Sequence, residues 1–366
     1  MIKNPFLLLV IFSITISCKK AMEEEVKTVA AYTFYVGSYT SDQSEGIYKF
    51  EMDSSGTLTN AGLVAKTENP SYLAVTADNK YLLAVNENEA GTMESFNIKE
   101  DTLISINRTS TSGIHPCFIT TNVNNMILTA NYSSGNVALS KLNDKGEILP
   151  LLDLQQHEGS DTTDRQEGPH AHSAWFKNNE VISVDLGANE LWFSKIVNDK
   201  FEFAAQKTLR MAGGAGPRHL AFHPAKEWIY VINELNGTVS QVVKSDSTYS
   251  IASTISTLPE NTEEKNQSAD IHVSADGKFL YASNRGPNTI AIFSIDQQGG
   301  GLSSVGFEST RGDWPRNFAL SPDDKFLLVA NERSDNIVVF ERNRETGLLK
   351  FVSETEAYTP TCILFN

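Results

Sequence analysis

The chain has 366 residues, 40% hydrophobic and 20% charged, with 30 Lys and Arg against 45 Asp and Glu and a formal charge of −15. That composition is globular, and so acidic a body repels nucleic acid and anionic lipid headgroups, which argues against both as partners. Length alone suggests two domains, a prior that internal repeats override.

Residues 1–17 read as an export signal, in which Lys3 supplies positive charge ahead of a short apolar run over residues 6–16. The run is too short to span a bilayer. Thr15-Ile16-Ser17-Cys18 resembles a bacterial lipobox, with Thr15 where Leu is usual, and marks Cys18 for lipidation. Residues 18–31, with Glu23-Glu24-Glu25, then form a solvated tether. The expectation is an exported lipoprotein, anchored to a membrane by its lipid alone, with one folded domain over residues 32–366.

That domain repeats itself with a period of about fifty residues. The copies occupy residues 69–86, 115–131, 168–185, 216–233, 268–284 and 314–331. Pro70 and Asn86, Pro217 and Asn233, and Pro315 and Asn331 each stand sixteen residues apart, and the third copy ends in Asp185 instead of Asn. Midway through a copy lies a polar turn such as Asp276-Gly277-Lys278, flanked by apolar runs that make a β-hairpin. A further alternating strand, such as residues 288–293, and a variable one complete four strands, the unit of a propeller blade. Residues 34–58 supply the later strands of one more blade, and residues 359–365 its opening strand. The expected fold is therefore all-β, a seven-bladed propeller closed by pairing of the chain's two ends, which removes an open edge.

Antiparallel pairing brings the start of each inner strand beside the Asn end of its partner, so these positions collect on one face near the axis. They hold His115, His170, His172, Arg218, His219, Glu234, Arg285, Arg316 and Arg333, with Glu87 and Glu332 at matching strand ends. Blade packing gives no reason for such enrichment. Arginines aimed into one funnel of an acidic protein suit an anionic ligand held by forked guanidinium groups. Glu234 offsets their charge and is available as a base, while histidines near arginines tend to stay neutral. Trp314, just ahead of Pro315, is a candidate lining residue; Trp175, Trp192 and Trp228 read as packing. Cys117 and Cys362 lie in apolar runs and read as buried free thiols.

These residues carry a resemblance. The stretches at residues 35–40, 69–74, 169–173, 216–224, 233–235, 283–286 and 315–318, among them Pro169-His170-Ala171-His172-Ser173 and Gly216-Pro217-Arg218-His219, are similar to the lactonase-type seven-bladed propellers. That family includes bacterial 6-phosphogluconolactonases and fungal carboxymuconate-lactonising enzymes. The resemblance runs from about residue 32 to residue 365. It implies an active site built from His170, Arg218, Glu234 and Arg285, with His172, His219, Arg316 and Arg333 as substrate-binding candidates. Two departures are mild: residues 175–179 replace a Pro-Asp-Gly turn, and Glu332 stands where a neutral amide is common.

The expected activity is cofactor-free and metal-independent hydrolysis of a sugar-acid lactone. Arg218 and Arg285 would hold the anionic group and the carbonyl oxygen that gains charge, and His170 or Glu234 would move the proton. No GxSxG elbow is present to support a covalent serine route. Three rivals stand beside it: a muconate-type cycloisomerase, a calcium-dependent gluconolactonase, and an exported propeller that only binds a sugar acid or a protein. The His/Arg-rich face does not suit calcium, which needs several oxygen ligands. Export bears on the substrate too, because a lipidated protein would not ordinarily meet an intracellular phosphorylated lactone.

Overall fold

The computed structural model describes residues 31–262 and 265–365, together with Met1. The expected export signal, the lipidated Cys18 and the tether up to residue 30 lie outside the described residues. Regular structure among the described residues is entirely β: 28 strands form seven four-stranded sheets, each built from antiparallel neighbours. The seven-bladed count expected from the repeats is what the chain adopts.

The middle strands are continuous apolar runs because both of their faces are covered. Trp228–Asn233 and Phe326–Asn331 are buried almost throughout, whereas the outer strand Lys200–Arg210 alternates and is largely exposed. The core is accordingly distributed between blades. One layer packs Ile182, Val184, Leu191 and Phe193 against Leu220, Ile229, Val231 and Val242 of the next blade. Each such side chain contributes roughly 1.5–3 kcal/mol when fully buried. Tyrosines that stand at the same point of successive blades also reach across. Tyr230 Oη donates to the Gly300 carbonyl and Tyr281 Oη to that of Gly347, both at 2.8 Å.

The asparagines that end the second strands join each blade to the one before. Asn131, Asn284 and Asn331 donate from Nδ2 to the carbonyls of Thr111, Thr257 and Thr310, in the segments leading in from the preceding blades. Asp185, the exception, has no amide to donate. It accepts instead, from the backbone N–H of His170 at 2.8 Å and of Ala188 at 2.7 Å, while His157 Nδ1 lies 2.8 Å from its other oxygen.

The ring closes in the blade ordered Pro360–Phe365, Tyr32–Ser38, Gly46–Met52 and Leu58–Lys66. There Phe34 pairs with Phe365 and Val36 with Ile363, so the C-terminal segment supplies the innermost strand of the blade that opens the chain.

Two backbone irregularities recur at the mouth of the channel. The first is a left-handed residue directly before the inner-strand proline: Asn69 (φ 43°), His115 (50°), Gly216 (63°), Trp314 (68°) and Thr359 (43°). Only Gly takes this conformation without cost, and for a residue as bulky as Trp it is an outlier of the kind that gathers at functional sites. The second is a β-bulge at the head of the inner strand. Pro217 pairs with Asn233 and His219 with Ile232, leaving Arg218 as the extra residue. The same arithmetic leaves out Cys117, His172 and Arg316 in their own blades. Bulges of this kind re-aim a side chain, here toward the axis.

Candidate active site

The bulged residues and the residues that follow the strand-ending asparagines meet in a cavity of about 270 Å³ at one end of the channel. Cys117, His172 and Arg316 come from bulges; Glu87, Tyr132, Glu234 and Arg285 come from strand ends. Tyr39, Arg165, Gln267 and Trp314 complete the wall. Arg218 and His219 lie just beneath, around a small extension of the same space that shares Cys117 and Arg316.

Glu234 is the hub of one wall. Its side chain is only 2% exposed, yet three guanidinium groups surround it. Arg165 Nη1 donates to Oε1 at 2.6 Å. Arg285 Nη2 and Arg218 Nε lie 2.8 and 3.1 Å from Oε2. These last two are charge contacts and not aligned hydrogen bonds, since both nitrogens are buried without a partner that meets hydrogen-bond geometry. A buried donor left in that state costs on the order of 1–3 kcal/mol, which an oxygen placed in the cavity would recover. Burial alone would raise the Glu234 carboxyl, but Arg285, Arg218 and Arg165 outweigh it and bring its pKa down to about 2. Burial also pushes the Arg285 guanidinium down to about 9, reinforced by Arg218 and Arg316 and only partly opposed by Glu234.

Each arginine is held from behind. Arg218 Nη1 donates to the Ala269 carbonyl at 2.6 Å, Arg285 Nε to that of Gln267 at 2.9 Å, and Arg165 Nη2 to Tyr132 Oη at 2.7 Å. On the other wall Arg316 Nη2 donates to Tyr39 Oη at 2.7 Å and stands 3.8 Å from Glu87 Oε2, with Arg316 Nε 3.7 Å from Glu332 Oε2. Both of those carboxylate oxygens are buried and lack a hydrogen-bond donor.

The histidines separate into distinct environments. His172 is buried on the cavity wall, edge-on to the rings of Tyr132 and His219. Burial, then Arg218, His219 and Arg316, hold its pKa well below the ordinary value, so its ring is neutral. Its Nδ1 faces the Cys117 thiol at 3.7 Å, and no protein group among the described residues bonds its Nε2. Burial pushes the Cys117 thiol far above its usual range, so the sulfur stays protonated. His219 is buried below, and burial together with Arg218 lowers its pKa to about 4 despite Asp270 at its Nδ1. His170 lies behind Tyr132, stacked on that ring with centroids 4.6 Å apart, and does not line the cavity. Its Nδ1 meets the Tyr132 carbonyl and its Nε2 meets Glu167 Oε1, both at 3.2 Å. His115 sits at the rim with Nδ1 2.7 Å from Ser133 Oγ. Arg333 is exposed and reaches the site only through Trp314, whose ring centroid is 3.4 Å from its guanidinium carbon; Arg285 is 5.1 Å from the same ring.

The repeat pattern gathered most of the charged groups but not Tyr39, Tyr132, Arg165 or Gln267, which also line the cavity. Tyr132 follows Asn131 as Glu234 follows Asn233, so the repeat register itself pointed to it. Arg165 lies in an irregular loop between blades, where no periodic signal exists. Among the described residues, no three His, Cys, Asp or Glu side chains converge as a metal-holding group.

A closed ring of four-stranded blades whose bulged inner strands surround an arginine-rich cavity defines the class as an enzyme-like propeller with its site on the channel axis. The chain belongs to the lactonase seven-bladed β-propeller family, whose model matches residues 33–365. It is 35% identical to the 6-phosphogluconolactonase of Bacillus subtilis over 91% of this chain and 98% of that one. It is 34% identical to the 6-phosphogluconolactonase of Formosa agariphila over 86% of this chain and 94% of the other. The solved structure of a periplasmic gluconolactonase from Pseudomonas aeruginosa superimposes with a TM-score of 0.88 at 30% identity, covering 91% of this chain and 98% of that one.

Proposed function

We propose that this protein hydrolyses a sugar-acid lactone without a metal, using the cavity of Arg165, Arg218, Glu234, Arg285 and His172. The observation that carries the reading is the pair of buried, unaligned donors on Glu234, Arg285 Nη2 from the wall of a cavity that also holds a neutral imidazole and Arg218 Nε from the small extension beneath it. Fixed donors aimed where negative charge develops are the largest single source of rate in acyl transfer. The names of the relatives, 6-phosphogluconolactonase and gluconolactonase, support the same chemistry.

In this mechanism the lactone carbonyl oxygen lies against the two guanidinium groups. Water attacks the carbonyl carbon and gives its proton to His172 Nε2, leaving a tetrahedral oxyanion. The ring C–O bond then breaks, the imidazolium returns the proton to the departing alkoxide, and the product is a hydroxy acid that ionises to its carboxylate. The arginines that keep His172 neutral also keep it a weak base in the empty site. Negative charge developing on the substrate offsets them and raises its basicity as the reaction needs. Glu234, with its carboxyl held near 2, is a poor proton acceptor and serves to align the three arginines. His170, with both nitrogens occupied outside the cavity, supports Tyr132.

The test is initial-rate hydrolysis of a panel of aldonolactones by the purified domain, corrected for spontaneous opening, alongside calorimetric binding. Turnover that disappears in Arg285→Ala and His172→Ala supports the reading, and saturable binding with no product replaces it with a sugar-acid binding protein. We also propose export and lipid attachment at Cys18, tested by labelling the wild type and Cys18→Ser with a palmitate analogue in a bacterial host.

A further inference from the structure

Cys117, His172, Arg218 and Arg316 take the same bulged position at the head of four inner strands, and Cys117 and His172 belong to adjoining blades. Both line the cavity. A neutral imidazole has one N–H and one lone pair, so its use as a base depends on which nitrogen holds the hydrogen. The two nitrogens of His172 face different surroundings. Nε2 has no bonding partner among the described residues and is not sealed from solvent, so it opens into the cavity. Nδ1 meets Cys117 Sγ at 3.7 Å. The thiol has carbonyls for its own hydrogen: Sγ lies 3.4 Å from the His172 carbonyl oxygen and 3.9 Å from that of Ala171. Burial keeps that hydrogen on the sulfur. A thiol has only one hydrogen, and its shortest contact is to the His172 carbonyl, so the sulfur is left to accept from Nδ1–H. The ring also bonds its own backbone in the sense that favours a ring N–H, and Nδ1 is the nitrogen next to the backbone.

From these contacts we propose that Cys117 is a positioning residue for His172, its thiol donating to the His172 carbonyl and accepting from Nδ1–H so that the Nε2 lone pair faces the cavity. The assignment rests on the hydrolase reading above, in which Nε2 takes the proton of the attacking water. When it does, the ring becomes an imidazolium with Nδ1–H still on sulfur; when the alkoxide takes the proton, the starting tautomer returns. The thiol neither gains nor loses its hydrogen. A ring that carried its hydrogen on Nε2 would have no lone pair there and could not accept from water. Sulfur also differs from the carboxylate that meets the buried ring beneath, where Asp270 holds His219 Nδ1 at 2.9 Å with a full charge that favours the imidazolium. A thiol fixes the tautomer with no charge of its own, so it leaves the ring neutral between turnovers and free to accept the next proton.

The experiment makes two measurements on wild type, Cys117→Ser and Cys117→Ala. Long-range proton–nitrogen NMR of protein labelled with nitrogen-15 histidine reads which nitrogen of His172 is protonated, its signal assigned by its loss in His172→Gln, and needs no substrate. Initial rates of aldonolactone opening give kcat and KM. Wild type should show hydrogen on Nδ1 and a bare Nε2. Cys117→Ala should move population toward the Nε2–H form and lower kcat by about tenfold with little change in KM. Cys117→Ser keeps one donor and an acceptor, and should hold the wild-type tautomer and recover most of the rate. A wild-type ring protonated on Nε2, or a tautomer that Cys117→Ala leaves unchanged, overturns the assignment whatever the turnover. A shifted tautomer with full kcat overturns the part given to Cys117 in turnover. Failure of wild type to open any lactone removes the hydrolase reading, while the NMR result still decides the contact between Cys117 and His172.

Discussion

His219 Nδ1 stands 2.9 Å from Asp270 Oδ1, and both side chains are buried directly beneath the cavity. Asp270 also accepts from the Ile271 backbone at 3.0 Å and from Asn317 Nδ2 at 2.5 Å, and lies 3.1 Å from His272 Nε2. Those contacts, His272 and His219 foremost, hold its carboxyl far below the usual range in spite of burial. A carboxylate at Nδ1 fixes the proton there and turns the Nε2 lone pair toward Arg218 Nη1, 3.4 Å away. Asp270 and His219 are therefore positioning residues for Arg218. Asp270→Asn, which can present either oxygen or amide to the ring, should lower kcat by about tenfold to a hundredfold with little change in KM. His219→Gln should do the same, and its failure to change kcat would show that the Ala269 carbonyl and Glu234 suffice to hold Arg218.

The two histidines of the Pro169-His170-Ala171-His172 stretch should differ sharply in their effect. His172→Ala should lower kcat by about 10²- to 10⁴-fold, the range expected for loss of a general acid or base. His170→Ala loosens only the packing behind Tyr132 and should keep activity within about tenfold of wild type, a difference readable from progress curves under one set of conditions.

Acid should destabilise the fold in two stages. His219 titrates at about 4 in the folded protein against an ordinary 6.5, so the unfolded chain binds more protons between those values. Stability therefore falls as pH drops from 6.5 to about 4, and His172, shifted the same way, adds to the loss. Glu234 contributes stability that is complete above about 4.5 and lost as pH falls toward 2. Urea midpoints across this range should show His219→Gln flattening the upper part of the slope and Glu234→Gln the lower.

Glu234→Gln also leaves three arginines around a neutral group at neutral pH. Breaking a buried ion pair from one side costs about 3–5 kcal/mol, so the variant should melt well below wild type and lose turnover as its guanidinium groups separate. Glu234→Gln paired with Arg285→Met removes one charge of each sign and should recover part of the melting temperature without recovering activity.

Chelation should have no effect. Dialysis against EDTA, followed by assay with and without added calcium, should give the rate of untreated enzyme; a rate restored only by calcium would reinstate an oxygen-ligated metal mechanism.

The architecture was legible because its information is repeated: six copies of a hairpin, each closed by Asn or Asp, set the strands and leave two half-blades at the termini. The candidate site was legible only to the level of which segments converge. Regular alternation sends adjacent residues such as Arg218 and His219 to opposite faces, yet the bulge between Pro217 and His219 lets both serve the channel. The same device brings His172 to the wall and leaves His170 behind Tyr132. A bulge is a property of pairing between strands, so no single-strand pattern discloses it. Arg165 was invisible for a related reason, since its place depends on where a non-repeating loop folds over the finished ring.

The hydrogen bond from Arg316 to Tyr39 joins residues 277 positions apart and crosses the seam where Pro360–Phe365 pairs with Tyr32–Ser38. A nascent polypeptide lacking that final strand would already contain every group named in the chemistry while holding Tyr39 and Arg316 on unlatched ends. Turnover is in this sense a readout of circularity: removing the last seven residues, from Pro360 onward, should silence the enzyme from a distance, without touching a single atom of its acid–base apparatus.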